Sequence, residues 1–396
     1  MAANLDGMRT EPSVLALLAI NSVLIVGMLS FAIFPLLVDG LVRLAHLDGQ
    51  DAGLTVTAEM VGQTAGAVGV LALQRWIGSR YLCSAALILI LGGNVLTMGV
   101  IGSLPALLVM RAIAGIGCGA GTAVGIGLFA TTNQPDRNFA INNGAAIIVS
   151  AALAAAAPFV YRSFGIIGLF AVIGGAAGLC LMMVPFIPES ANKATARVAA
   201  PVQSNISLGS IALTCIMTAG YFISTSMFWS YAGQIGAWHH LGVTAVSSAV
   251  ASAWLVGGLL GSVVAIPTAQ RVSRTVSVVA CAAGGVLVTF AAVIVESPGN
   301  FSFVLYAFVF LWLLFYPIQM GIFSAIDATG QLAMLAFPVQ LIAFAIGPAW
   351  GGLILRSGSY KTFGLCCGLG YLVFICAALG FLPGIIRSAQ QVSESR

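Results

Sequence analysis

Charge is the scarcest property of this sequence. Asp, Glu, Lys and Arg make up 7% of its 396 residues, where a water-soluble domain carries about 25%. A chain so poor in charge cannot cover itself with groups that water accepts, which excludes a soluble globular fold and leaves lipid as its main solvent. The basic excess is small, +4 from 15 basic and 11 acidic residues, too sparse for a nucleic-acid footprint. Sulfur and imidazole are not used in site-forming patterns. The eight cysteines all lie in apolar runs, with no Cys-x-x-Cys pair and no histidine at ligand spacing, so neither a metal site nor a redox role is expected, and no cofactor. His-Asp-Ser constellations, phosphate loops and selectivity-filter repeats are also missing. An enzyme, with its catalytic residues, a receptor and a channel therefore have nothing to rest on.

What is present is apolar length. Hydrophobic residues make up 60% of the chain and the mean hydropathy is +1.07. A helix needs about 20 apolar residues to cross a bilayer core of roughly 30 Å. Such runs fall at about 13–38, 52–74, 82–102, 104–130, 139–160 and 164–187, then at 207–233, 243–268, 275–295, 301–325, 331–355 and 362–384. The first run is long enough to span, so it reads as a membrane helix rather than a cleavable leader. The expected fold is all-α and polytopic, with twelve transmembrane helices in two six-helix bundles. The N-terminal bundle is 1–187, a cytoplasmic linker is 188–206 and the C-terminal bundle is 207–396. With both termini cytoplasmic, ten basic residues fall on inner segments and four (Arg43, Arg162, Arg356 and Lys361) on outer ones, with Arg111 inside the membrane. That bias supports a multi-pass inner-membrane protein in this orientation. The halves also echo each other: Gln74-Arg75 leads to Arg80 after the second span, and Gln270-Arg271 to Arg274 after the eighth. Two similar halves around a pseudo-two-fold axis are what a rocking-bundle carrier requires.

Three patches carry a family resemblance. In the fourth span, Arg111-Ala-Ile-Ala-Gly115-Ile-Gly117-Cys-Gly119-Ala-Gly121 resembles the arginine-and-glycine motif of the major facilitator superfamily. In the eleventh, Gly347-Pro348-Ala-Trp-Gly351-Gly352 is similar to an element that the superfamily's antiporters carry in their fifth helix, where this chain has only Ala157-Pro158. The loop Gln74-Arg75-Trp76-Ile77-Gly78-Ser79-Arg80 looks like a decayed form of the superfamily's signature loop, with Gln74 in place of its aspartate and one extra residue. The resemblance implies a secondary transporter working by alternating access, usually as a monomer, with Gly115, Gly119, Gly347, Pro348, Gly351, Arg75 and Arg80 serving its conformational motifs. It also implies a cavity lined by the first, fourth, seventh and tenth helices. On those helices stand Asn21, Phe31, Tyr221, Ser224, Phe228, Trp312, Phe315, Tyr316 and Gln319, with Gln340 on the neighbouring eleventh. At helical spacing Tyr221, Ser224 and Phe228 share one face, as do Trp312, Phe315 and Gln319.

Glu59 is the most informative acid. It lies about seven residues into the second span, roughly 10 Å deep, and Arg111 lies equally deep in the fourth, which runs the same way. A buried carboxylate without a partner is costly, so the two are expected to interact. They are read either as a proton-coupling pair or as a permanent structural clamp. Asp39, Asp48, Asp51 and Glu296 fall at outer helix ends or loops and attract no role. The expected partners are protons, the lipid bilayer and a lipophilic or aromatic small molecule, with export ahead of the alternative, proton-coupled uptake of an organic acid.

Overall fold

The computed structural model describes residues 12–130, 132, 134–189, 208–326 and 331–394, so most of the expected linker lies outside them. Among the described residues every regular element is helical. The first run is broken rather than straight. α1 (Val14–Ala32) stops at Ile33 and α2 (Phe34–Leu44) begins with Pro35 in its first turn. Proline lacks the N–H that would continue α1 but suits a helix start, so the kink falls where the sequence puts Pro35. α3 (Gly49–Leu73), α4 (Ser79–Val100) and α5 (Leu104–Ala130) are single crossings.

α6 (Pro135–Leu181) holds two crossings. Its backbone breaks at Gly165, with φ 63° and ψ −159°, a conformation open to glycine because it has no Cβ. A Cβ on Gly168 would lie 2.6 Å from a methyl of Val160, whereas eight residues of continuous helix would separate the two by about 12 Å. The chain therefore turns back on itself at Gly165. α7 (Leu208–Trp238) follows. α8 (Val243–Ser252) runs through a π turn (Ala253–Gly258) into α9 (Leu259–Arg271), which together make one span. α10 (Arg274–Ala292), α11 (Pro298–Ile326), α12 (Gln331–Ser357) and α13 (Tyr360–Glu394) complete twelve crossings among the described residues. Ten stretches among the described residues are long and apolar enough to cross a membrane.

Packing divides the chain into two units. One holds 1–32, 58–149 and 160–201; the other holds 33–57, 150–159 and 202–396. In the first, α3 and α5 touch backbone to backbone. A Cβ on Gly62 or Gly66 would collide with the carbonyl oxygens of Ala112 or Ile116, and one on Gly115 or Gly119 with those of Glu59 or Gln63. Lipid tails are as apolar as leucine, so helices in a bilayer gain most from such close packing. Gly119→Val should push α3 and α5 apart and lower the thermal unfolding midpoint of the purified protein sharply. Gly92→Ala, whose Cβ meets nothing within 4 Å, should leave it nearly unchanged. In the second unit, a Cβ on Gly347 of α12 would collide with the backbone of α7 at Ile223 and Met227, and one on Gly351 with the side chains of Tyr231 and Met227.

Candidate functional site

The glycine contact between α3 and α5 sets Glu59 beside Arg111. Arg111 donates to Glu59 Oε2 from Nε at 3.2 Å and from Nη2 at 2.5 Å. Its third nitrogen, Nη1, donates to Asn94 Oδ1 of α4 at 3.0 Å. Asn94 is held in turn by its own Nδ2, which donates to Ile90 O at 2.8 Å. The Phe170 ring of α6 lies 5.0 Å from the guanidinium carbon, within range for a cation–π contact. Glu59 and Arg111 are each 2% exposed and Asn94 is fully buried. The arginine thus spends its donors on a carboxylate and an amide, the partnering that makes a charge tolerable in a bilayer. The sequence carries one signal for Asn94, a lone amide in the apolar run after Gly92-Gly93.

The second unit carries a continuous aromatic chain. Tyr221 of α7 stacks on Phe315 of α11 with centroids 3.7 Å apart, and its edge meets Tyr371 and Phe374 of α13. Phe222 joins Phe315 to Phe344 of α12. Phe344 meets Trp312, and Trp312 meets Trp229, Trp254 and Phe308. Phe228 closes on Phe308 at 4.6 Å. Trp254 stands on the π turn, a helical irregularity frequent at functional sites. Polar atoms punctuate this chain. Gln319 Nε2 donates to Thr218 Oγ1 at 2.8 Å, and Thr225 Oγ1 and Tyr371 Oη lie 2.9 Å apart. The carbonyl oxygens of Gln319 and Gln340 are buried without a hydrogen-bond partner.

The residues proposed for one cavity do not all gather. Tyr221, Phe315, Phe228 and Trp312 belong to the aromatic chain. Ser224 instead faces α13, where a Cβ on Gly370 would collide with its hydroxyl. Tyr316 is half-buried. In the other unit, Phe31 is buried and Asn21 half-buried, with Asn21 Nδ2 donating to Leu17 O at 2.8 Å. In the loop that resembles the superfamily signature, the Arg75 guanidinium sits 3.9 Å over the Trp76 ring. Arg80 Nε donates to Ile187 O at 2.6 Å and lies 3.5 Å from Glu189 Oε2. That ion pair is half-exposed, so it contributes at most about 1 kcal/mol. Asp39, expected at a helix end without a role, is 1% exposed.

No family model matches the chain, and no curated protein does. Solved structures do. A D-xylose–proton symporter is 17% identical with a TM-score of 0.69, over 91% of this chain and 97% of that one. The inward-open xylose transporter XylE from E. coli is 17% identical with a TM-score of 0.71, over 90% and 94%. The nucleoside transporter NupG is 10% identical with a TM-score of 0.73, over 92% and 98%. The chain has the fold of the major facilitator transporters.

Proposed function

We propose that the chain is a secondary active transporter working by alternating access, coupled to protons, that exports a lipophilic or aromatic small molecule from the cell. The observation that carries the reading is the buried pair of Glu59 and Arg111. Both bonds from the guanidinium to Glu59 go to Oε2, so Oε1 is the oxygen left to accept a proton. Protonation there would cancel the carboxylate charge while Oε2 still accepts from Arg111, which turns a tight ion pair into a weaker contact. A conformational change that opens Glu59 to one side and then the other could load and release that proton. Residues 1–187 and 207–396 would form the two rocking bundles, with the linker and both termini in the cytoplasm of an inner-membrane monomer.

The aromatic chain across α7, α11 and α12 supports a ring-bearing substrate. The unpaired amide oxygens of Gln319 and Gln340 would suit one that also carries an N–H or O–H donor. The similarity to xylose and nucleoside carriers extends to the coupling reading through the proton symporter, but their cargo is their own. Uptake of an organic acid on Arg111 is disfavoured, because that guanidinium is already committed to Glu59 and Asn94.

Ligand-induced thermal stabilisation of the purified protein tests the substrate class. The panel is lipophilic aromatic cations, aromatic and aliphatic carboxylates, and sugars, at two pH values. A ligand at 100 times its dissociation constant adds about 2.7 kcal/mol. Aromatic cations should stabilise the wild type, and Trp312→Ala should respond at least about tenfold more weakly. Stabilisation by carboxylates or sugars alone would overturn the substrate assignment.

A further inference from the structure

Among the described residues Asp39 and Glu59 are the two buried carboxylates, and the proposed mechanism uses one of them. Asp39 lies on α2, beyond the break at Ile33 and outside the span Val14–Ala32. It is buried by protein.

Three elements enclose it. Arg43, one turn along α2, donates from Nε to Asp39 Oδ1 at 2.8 Å. Gln234 of α7 donates from Nε2 to the same oxygen at 2.9 Å, and Tyr360 at the start of α13 donates to Gln234 Oε1 at 3.3 Å. The titratable groups facing Asp39 are therefore Arg43 and Tyr360, while α7 supplies a neutral amide. The surrounding seam is sealed by close contacts. A Cβ on Gly233 of α7 would collide with Pro35 O, and one on Gly352 of α12 would lie 2.7 Å from Gln50 Cα. Tyr231 Oη lies 2.8 Å from Gly49 O and 3.0 Å from Pro348 O, so one hydroxyl proton ties α3 to α12. Asp39 is shielded from water because the segment 33–57 is docked on α7, α12 and α13. Cost is built into that docking: Arg43 Nη2 is buried without a partner.

We propose that Asp39 is a second proton-binding site, which takes up a proton when the segment 33–57 docks on the C-terminal helices and gives it up when that seam opens. The inference rests on the alternating-access reading above and takes the docked seam as its closed outer gate. Its ligand is a proton from the outer water, reached without crossing the bilayer. Burial raises the Asp39 carboxyl from 3.8 to about 6, against the Arg43 charge and the hydrogen bonds from Arg43 and Gln234. The docked form then binds the proton more tightly than the exposed form. Docking gains its full benefit below pH 3.8 and loses it as pH rises through about 6. The docked-to-undocked ratio should rise about tenfold between pH 7 and pH 5, with a low-pH limit of about a hundredfold. The sign is opposite to that of a gate held by a salt bridge, which acid would open.

The test uses the full-length protein in lipid nanodiscs, with cysteine-independent spin labels read as distance distributions from pH 4.5 to 8. One label pair sits at His46 and Ser359 across the outer seam, another at Gln74 and Val272 on inner loops. In the wild type the short outer distance should gain about tenfold over the long one from pH 7 to pH 5. Asp39→Asn should stay docked at every pH. Gln234→Leu, which keeps Asp39 but removes a bond that favours its charged form, should move the transition to higher pH. A wild-type profile in Asp39→Asn, or a short distance that shrinks in population as acid is added, overturns the proposal while the transport reading stands. If neither label pair changes at any pH or with ligand, alternating access itself fails and the proposal falls with it.

Discussion

Glu59→Gln should equilibrate substrate across proteoliposomes without accumulating it. Under a gradient of one pH unit, wild type exchanging one proton per molecule should concentrate substrate about tenfold, since one unit is worth about 1.4 kcal/mol. The glutamine keeps the shape of the acid, and its amide oxygen can still accept from Arg111, so binding and exchange survive. What it loses is the oxygen that can take a proton. Gradient-driven accumulation that matches wild type would mean that Glu59 and Arg111 are a permanent clamp, and the coupling site would have to be sought elsewhere.

Arg111→Ala should be the most destabilising single change at the site. It leaves the Glu59 carboxylate buried without its cation, beside an amide, Asn94, that has lost its donor. Removing one partner of a buried pair costs about 3–5 kcal/mol, mostly because the other charge is stranded. The double variant Arg111→Ala with Glu59→Gln removes that stranded charge, so it should recover a large part of the loss in a thermal or denaturant assay. If the double variant is as unstable as the sum of its parts, the two residues do not act as a unit.

Much of the fold could be read from composition because a bilayer imposes one rule: backbone groups must be satisfied within the segment. Apolar runs of the right length therefore mark helices, and the all-α polytopic architecture followed from counting them. The pairing of Glu59 with Arg111 was legible for a similar reason, since an isolated charge at that depth needs a partner at the same depth. Their coupling role is the proposal. Side-chain facing was less legible. Tyr221, Ser224 and Phe228 share a helical stripe, yet Ser224 packs on Gly370 while Phe228 meets Phe308. A stripe gives direction about one axis but not which neighbour stands there. Asp39 does not stand out in the sequence, where its position says only that it ends a helix. Its burial comes from Gln234 and Tyr360, 195 and more residues away, and no local pattern encodes that. Pro35 did carry the break at Ile33, as a helix-start signal inside a single apolar run.

The π turn at Ala253–Gly258 changes how the eighth crossing can be drawn. Each turn closed over five residues instead of four slips the phase by one position, about 100° around the axis. A single helical wheel through 243–271 is therefore wrong on one side of Gly258. Residues that share a stripe in α8 do not continue it in α9, and Gly257 and Gly261 meet α11 at Tyr306 and Phe310 on a phase set by the turn itself.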